Sequence, residues 1–370
     1  MLLRLIKFIA LGVVVGLLFS AMPSPARAAA PIPVEELKRE YLMLPVTIDG
    51  DVYELETLIV TPPGDGPKPL AVISHGRSGK YVNDFKRSPF SYLGSAEEFA
   101  RRGYITAIFM RRGYGKSEGN QSDSSGYCDN PAYTEAGTNA AEEIAAFIQE
   151  MKKRPDVDGA RVLAVGHSAG GFGTIALSAL YGEEITAGIN FAGGHGGVID
   201  KMTGKRRICS EDILVETFEE FGKTSRVPTL WIYTENDSFF SPDLSERFYE
   251  AFSNAGGNAT YKLLEPFRKD GHTLFSRGRR GVRLWQDITD GFLRKSGLPT
   301  WDSPPEKLFT MLPEYDGLGE RGLRDWKRYL MESGNKAFAV SFSGSYAGSA
   351  GRRTIEEAKK VAIERCLKRV

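Results

Sequence analysis

From residue 42 to residue 295, short apolar runs alternate with longer stretches whose apolar residues recur every three or four positions. Leu42 to Thr61 reads as two β-rich segments around Asp49-Gly50, the pattern of a hairpin. Pro62 to Pro69 is a breaker-rich loop. A buried strand is predicted at Leu70 to Ser74, ending in His75-Gly76, and a helix at Ser95 to Arg102, closed by Gly103. The alternation continues with strand Ile105 to Met110, a long polar loop, helix Thr138 to Lys152, strand Val162 to Val165, helix Ala169 to Leu180 and strand Ala187 to Phe191. It resumes with strand Thr229 to Thr234, helix Pro242 to Ala255, strand Thr260 to Leu264 and helix Val282 to Lys295. Strands alternating with helices imply an α/β fold, a mainly parallel sheet with helices on both faces. Gly193 to Arg226 breaks the rhythm with glycine and charge, and is expected to form a small cap.

The two ends differ from this body. A basic start (Arg4, Lys7), an apolar stretch from Phe8 to Met22 and Ala26-Arg27-Ala28 make residues 1–28 a secretory signal peptide with an A-x-A cleavage site. The apolar run is short of the ~20 residues a membrane span needs, so an exported, periplasmic or secreted protein without a stable span is expected, with an uncleaved membrane anchor as the alternative. Beyond Gly297, Pro299, Pro304 and Pro305 mark a linker, and Ala337 to Val370 reads as a short strand pair followed by a helix with the capping box Thr354/Glu357. The expected organisation is a leader at 1–28, a catalytic domain at 29–297 and a small C-terminal α+β module at 298–370.

With 370 residues and 41% apolar side chains, the chain can bury a full core. Cleavage after Ala28 would remove Arg4, Lys7 and Arg27 and no acid, turning the formal charge of +1 into −2. Nothing in that balance suggests a nucleic-acid partner. Three cysteines, Cys128, Cys209 and Cys366, allow at most one internal disulfide. Cys128 with Cys209 is the pair favoured by their polar, loop-like surroundings; three unpaired thiols is the alternative.

A serine hydroxyl becomes a useful nucleophile only when exposed on a tight turn beside a base. Two G-x-S-x-G stretches occur. Gly115-Lys116-Ser117-Glu118-Gly119 runs into Asn120-Gln121-Ser122-Asp123, which starts no helix. Gly166-His167-Ser168-Ala169-Gly170 follows an apolar strand and opens into a helix, the strand, turn and helix that such an elbow requires. Ser168 is therefore the candidate nucleophile, with a strand-helix turn of no catalytic role as the bland alternative.

In the order Ser, acid, His, the base must follow the serine. Of the four histidines, His75 and His167 precede it, and His195 lies in a glycine-rich loop read as near the site. His272, after the last strand in Asp270-Gly271-His272, is the candidate base. Asp237, in Glu235-Asn236-Asp237 past the end of an apolar strand, is the candidate acid, since open α/β sheets place their sites at such strand ends. Glu235 is the alternative, and Asp270 reads as a turn residue. Charge developing on a carbonyl oxygen needs two preset donors. These are expected from the backbone N–H of Ala169 and from the glycine-flanked loop His75-Gly76-Arg77-Ser78-Gly79, by Arg77, with Ser78 as alternative.

Together His75-Gly76, Arg111-Arg112-Gly113-Tyr114-Gly115-Lys116-Ser117-Glu118-Gly119, the elbow at Ser168, Tyr233-Thr234-Glu235-Asn236-Asp237 and Asp270-Gly271-His272 resemble the dienelactone-hydrolase and prolyl-oligopeptidase-like branch of the α/β hydrolases. The resemblance runs from Leu42 to Lys295. It implies an eight-stranded α/β-hydrolase sheet, hydrolysis of an ester, thioester, lactone or peptide bond in a small-molecule or peptide acyl substrate, and no metal or organic cofactor. It also makes the stretch around Ser117 a structural loop. Dienelactone hydrolases proper carry cysteine where this chain has Ser168, and nothing here reads as the propeller that restricts oligopeptidases to short peptides. The C-terminal segment is similar to small modules of exported bacterial proteins. A carboxylic-ester hydrolase is the leading expectation, an acyl-peptidase or acyltransferase the alternative within the class, and a catalytically silent binding protein the alternative outside it.

Overall fold

The computed structural model describes residues 31–77, 86–199, 206–276, 278–301 and parts of 322–368. The leader at 1–28 and the alternative donor Ser78 lie outside the described residues.

In chain order the elements are β1 (Lys38–Ile48), β2 (Asp51–Thr61), β3 (Lys68–Ser74), α1 (Leu93–Arg101), β4 (Ile105–Phe109), α2 (Tyr133–Lys152), β5 (Val157–His167), α3 (Ala169–Leu180) and β6 (Ala187–Phe191). They continue with β7 (Gly197–Ile199), β8 (Arg206–Ile208), α4 (Glu211–Gly222), β9 (Thr229–Thr234), α5 (Pro242–Asn254), β10 (Ala259–Leu264) and α6 (Val282–Lys295), then β11 (Asn335–Val340), β12 (Tyr346–Arg352) and α7 (Ile355–Leu367). Eight strands form one sheet in the order β1-β2-β4-β3-β5-β6-β9-β10. The first two junctions are antiparallel and the other five parallel. The β1–β2 hairpin turns at Asp49 (φ 54°) and Gly50 (φ 86°), two left-handed residues as a type I′ turn requires.

The central strands are buried on both faces, and their alternate residues enter two separate cores. Leu70, Val72, Val162 and Ala164 join Phe147, Phe172, Phe218, Trp231 and Phe248 under α2, α3, α4 and α5. Ala71, Ile73, Leu163 and Val165 join Phe99, Phe191, Phe275 and Trp285 under α1 and α6. Both cores clamp β3, β5 and β9, so the loops leaving their C-terminal ends start from rigid supports.

The stretch from Gly193 to Arg226 holds the small antiparallel ribbon β7–β8 and helix α4. Cys128 and Cys209 are joined by a disulfide (Cα–Cα 4.9 Å) that ties the long loop after β4 to the end of β8. Cys366 is free and buried. Past Gly297 the chain stays against α1: the Arg102 guanidinium lies 3.8 Å over the Trp301 ring, and Trp301 Nε1 donates to the Arg101 carbonyl. At the C-terminus α7 packs on the β11–β12 hairpin, its first turn capped by Thr354 Oγ1 accepting from Glu357 N at 3.1 Å.

Candidate active site

Ser168 sits between the end of β5 and the start of α3 with φ 56° and ψ −124°. A positive φ is uncommon for a residue with a Cβ, and such strain persists only where the surroundings hold it. The glycines on either side explain how. A Cβ on Gly166 would strike the Gly170 carbonyl, and one on Gly170 would strike the Ser74 carbonyl. The Ser168 N–H donates to Phe191 O (3.0 Å), and its carbonyl accepts from Phe172 N (3.0 Å) and Gly194 N (3.2 Å). The backbone is thus fastened to β6, to α3 and to the loop after β6, while the side chain is left half-buried at the surface of the sheet.

His272 lies in a short 3-10 turn after β10. Its Nε2 is 3.0 Å from Ser168 Oγ, and its Nδ1 is 3.0 Å from both Oδ1 and Oδ2 of Asp237. Asp237 follows β9, and its Oδ1 also accepts from Phe239 N (2.8 Å) and Phe240 N (3.0 Å). Because the carboxylate only accepts, Nδ1 carries the proton and Nε2 is the bare nitrogen that faces the serine. The loops of acid and base are strapped together. Gly271 N donates to Asn236 O, and Asn236 Oδ1 accepts from Phe267 N. The structure therefore brings Ser168, His272 and Asp237 into one hydrogen-bonded line, while Glu235 is exposed one residue beyond β9.

Asp270 has a different place. Its Oδ1 accepts from His272 N (3.1 Å) and Ser238 N (3.3 Å), and its Oδ2 pairs with Arg206 at 2.5 Å. Burial pushes this carboxyl up, but the hydrogen bonds from Arg206 and Ser238 outweigh it and hold the group below its usual range. Arg206, on β8, also lies 4.7 Å over the Phe239 ring, which meets His272 edge-on at 4.9 Å. The β7–β8 ribbon thus borders the base.

The loop after β3 approaches Ser168 from the other side, since a Cβ on Gly76 would fall 2.8 Å from Ser168 Cβ. The Arg77 side chain turns away, donating to Asp123 O at 2.9 Å. Ala169 is the first residue of α3, so its N–H has no acceptor within the helix.

The remaining histidines are buried and neutral. Burial and then the neighbouring His272 push His167 down to about 3; burial and then Arg77 push His195 to about 4; burial and then Arg111 hold His75 well below its ordinary value. His195 Nε2 bonds to Asp123 O at 2.9 Å. Ser117 Oγ donates to Met110 O (2.7 Å) and accepts from Glu56 N (2.9 Å), stitching its loop to β2. Next to it is a buried network no periodicity announces. Arg111 donates to Ser74 Oγ, His75 O and Asp123 Oδ2, and Tyr114 OH donates to Asp123 Oδ1. This network holds the loop after β4 under the His75–Arg77 loop. Among the described residues no cluster of His, Cys, Asp and Glu is placed to hold a metal ion, and no helix is long and apolar enough to cross a membrane.

An eight-stranded, mainly parallel sheet carrying these loops at its strand ends is the α/β-hydrolase fold. Residues 55–287 match the model of the dienelactone hydrolase family, and the chain belongs to that family, whose name denotes hydrolysis of a cyclic ester. No curated protein matches the chain significantly. Similar solved structures include the Pyrococcus furiosus esterase Pf2001 (17% identity, TM-score 0.48, covering 73% of this chain and 97% of that one). Others are Est1E from Butyrivibrio proteoclasticus with ferulic acid bound (18%, 0.45, 68% and 98%) and an acetyl xylan esterase from Paenibacillus sp. R4 (13%, 0.47, 74% and 88%).

Proposed function

We propose that this member of the dienelactone hydrolase family is an exported serine hydrolase that cleaves carboxylic esters through a Ser168-His272-Asp237 triad and an acyl-enzyme. The observation that carries the reading is the unbroken line from Ser168 Oγ through His272 to the Asp237 carboxylate, each gap 3.0 Å. Ser168 Oγ attacks the acyl carbonyl as its proton passes to His272 Nε2, and Asp237 stabilises the imidazolium that forms. The Ala169 and Arg77 backbone N–H groups hold the oxyanion, helped by the positive end of α3. Collapse breaks the bond to the leaving alcohol, which takes the proton from His272. Water then attacks the acyl-enzyme, His272 accepts its proton, and the carboxylic acid departs as Ser168 is restored.

Export is supported by the basic-apolar-A-x-A pattern of residues 1–28 and by the Cys128–Cys209 disulfide, a bond that persists in oxidising compartments. The test is hydrolysis of p-nitrophenyl acetate and butyrate by the chain and by Ser168→Ala. Turnover that the substitution abolishes is expected. A folded wild-type protein with no turnover on short esters would count against an esterase.

A further inference from the structure

His167, the residue before Ser168, is buried, and the reaction outlined above gives it no task. Its surroundings define its proton positions. Nε2 lies 2.7 Å from the carbonyl oxygen of His272, which can only accept, so Nε2 carries the hydrogen. Burial keeps the ring neutral, so Nδ1 is a bare acceptor. Nδ1 is 2.9 Å from the hydroxyl of Tyr92, which must therefore be the donor there. The Tyr92 oxygen in turn accepts from the backbone N–H of Gly76 at 3.1 Å. The result is one directional chain: Gly76 N–H to Tyr92 O–H to His167 Nδ1, then His167 Nε2–H to the carbonyl of His272.

Its two ends are the two parts of the site that must keep register with the nucleophile. Gly76 adjoins Arg77 in the loop that abuts Ser168, and the His272 carbonyl belongs to the base itself. Tyr92 reaches this position from the 3-10 turn Pro89–Tyr92 ahead of α1 and is 2% exposed. By taking the Gly76 N–H, Tyr92 fixes the peptide orientation that precedes the Arg77 N–H. Phe275 flanks both rings, 6.0 Å from Tyr92 and 6.4 Å from His167, and closes the relay on its apolar side.

We infer that Tyr92 and His167 are positioning residues, a buried relay that sets the oxyanion loop and the base in register with Ser168. The inference rests on the serine-hydrolase reading of the site. Removing the Tyr92 hydroxyl leaves a buried N–H and a buried ring nitrogen without partners while preserving the ring's packing.

The test compares Tyr92→Phe, His167→Leu and His167→Gln with the wild-type chain by steady-state hydrolysis of a p-nitrophenyl ester, with thermal unfolding of each variant recorded alongside. A displaced constellation is expected to lower kcat by about 10- to 100-fold in Tyr92→Phe and His167→Leu while KM changes by less than about threefold. Glutamine offers both an acceptor and a donor, so His167→Gln is expected to recover most of the kcat lost in His167→Leu. Folded Tyr92→Phe and His167→Leu proteins with kcat within about twofold of wild type would overturn the inference, as would losses confined to KM. A second arm needs no turnover. Hydrogen exchange in the peptide spanning residues 71–77 is expected to accelerate in Tyr92→Phe as the Gly76 amide loses its acceptor, and unchanged exchange would overturn the relay. An inactive wild-type protein would instead sink the hydrolase reading, with the relay decided by the exchange arm.

Discussion

Asp237 meets His272 with both carboxylate oxygens, each 3.0 Å from Nδ1, while Oδ1 also accepts the N–H groups of Phe239 and Phe240. An asparagine here would keep its carbonyl oxygen on those two N–H groups and turn its amide toward Nδ1. The imidazole would then be forced into the Nε2–H form, which cannot take a proton from Ser168. Asp237→Asn is therefore expected to fold normally and to lose about 10⁴-fold in kcat. A p-nitrophenyl ester assay reads this directly, and a loss under tenfold would remove Asp237 from the role of acid.

Arg111 and Asp123 form an ion pair at 2.9 Å with side chains 1% and 2% exposed. Burial alone would raise the Asp123 carboxyl, but Arg111 and then Arg77 overcome it and hold the group ionised far below the usual carboxylate range. Arg111→Leu leaves that charge buried without its partner and is expected to cost about 3–5 kcal/mol in chemical unfolding. A cost below about 1 kcal/mol would show that the pair does not organise the loops around His75 and Arg77.

The disulfide makes a chemical expectation as well as an energetic one. Denatured protein prepared without reductant should show one titratable thiol, Cys366, and three after reduction. Replacing Cys128 and Cys209 together by serine should lower stability by about 2–5 kcal/mol and make the unfolding midpoint insensitive to reductant. Three free thiols in oxidised, purified protein would contradict the pairing.

Stability should fall on acidification before most carboxylates titrate. His75, His167 and His195 are buried neutral with folded values depressed below the ordinary histidine range, His167 to about 3 and His195 to about 4. The unfolded chain therefore binds more protons than the folded one below about pH 6.5, and stability drops as pH falls. Each histidine contributes a slope of about 1.4 kcal/mol per pH unit until its folded value is reached. Urea unfolding between pH 7.5 and 4.5 measures this, and a midpoint that holds steady or rises on acidification would contradict the burial of neutral rings.

Much of the frame was legible because the features involved are local. The type I′ turn at Asp49-Gly50, the apolar strands β3, β6 and β9, and the elbow flanked by Gly166 and Gly170 each carry their signal within a few residues. Element ends were less legible. β5 begins at Val157, five residues before the apolar run, because Lys68 and Pro69 pair with Val157 and Asp158 across an irregular register. α2 begins at Tyr133 rather than Thr138, its entry lacking a side-chain cap and carrying Gly137 against Phe172 and Phe221. The serine, acid and base positions could be named from chain order and strand ends, and the structure draws those three residues together. What the sequence hid is the support beneath them. Nothing beside Arg111-Arg112 names Asp123, Tyr114 and Glu143 as the partners that hold it, and Tyr92 meets His167 across 75 residues with no pattern linking them.

The central claim is that Ser168 is the nucleophile, and covalent labelling tests it most directly. The folded protein would be treated with a fluorophosphonate, digested and mapped by mass spectrometry beside Ser168→Ala. One adduct per chain on Ser168, absent from the variant, is the expected result. A folded wild-type protein that takes up no label, or takes it at Ser117 or another serine, would contradict the account.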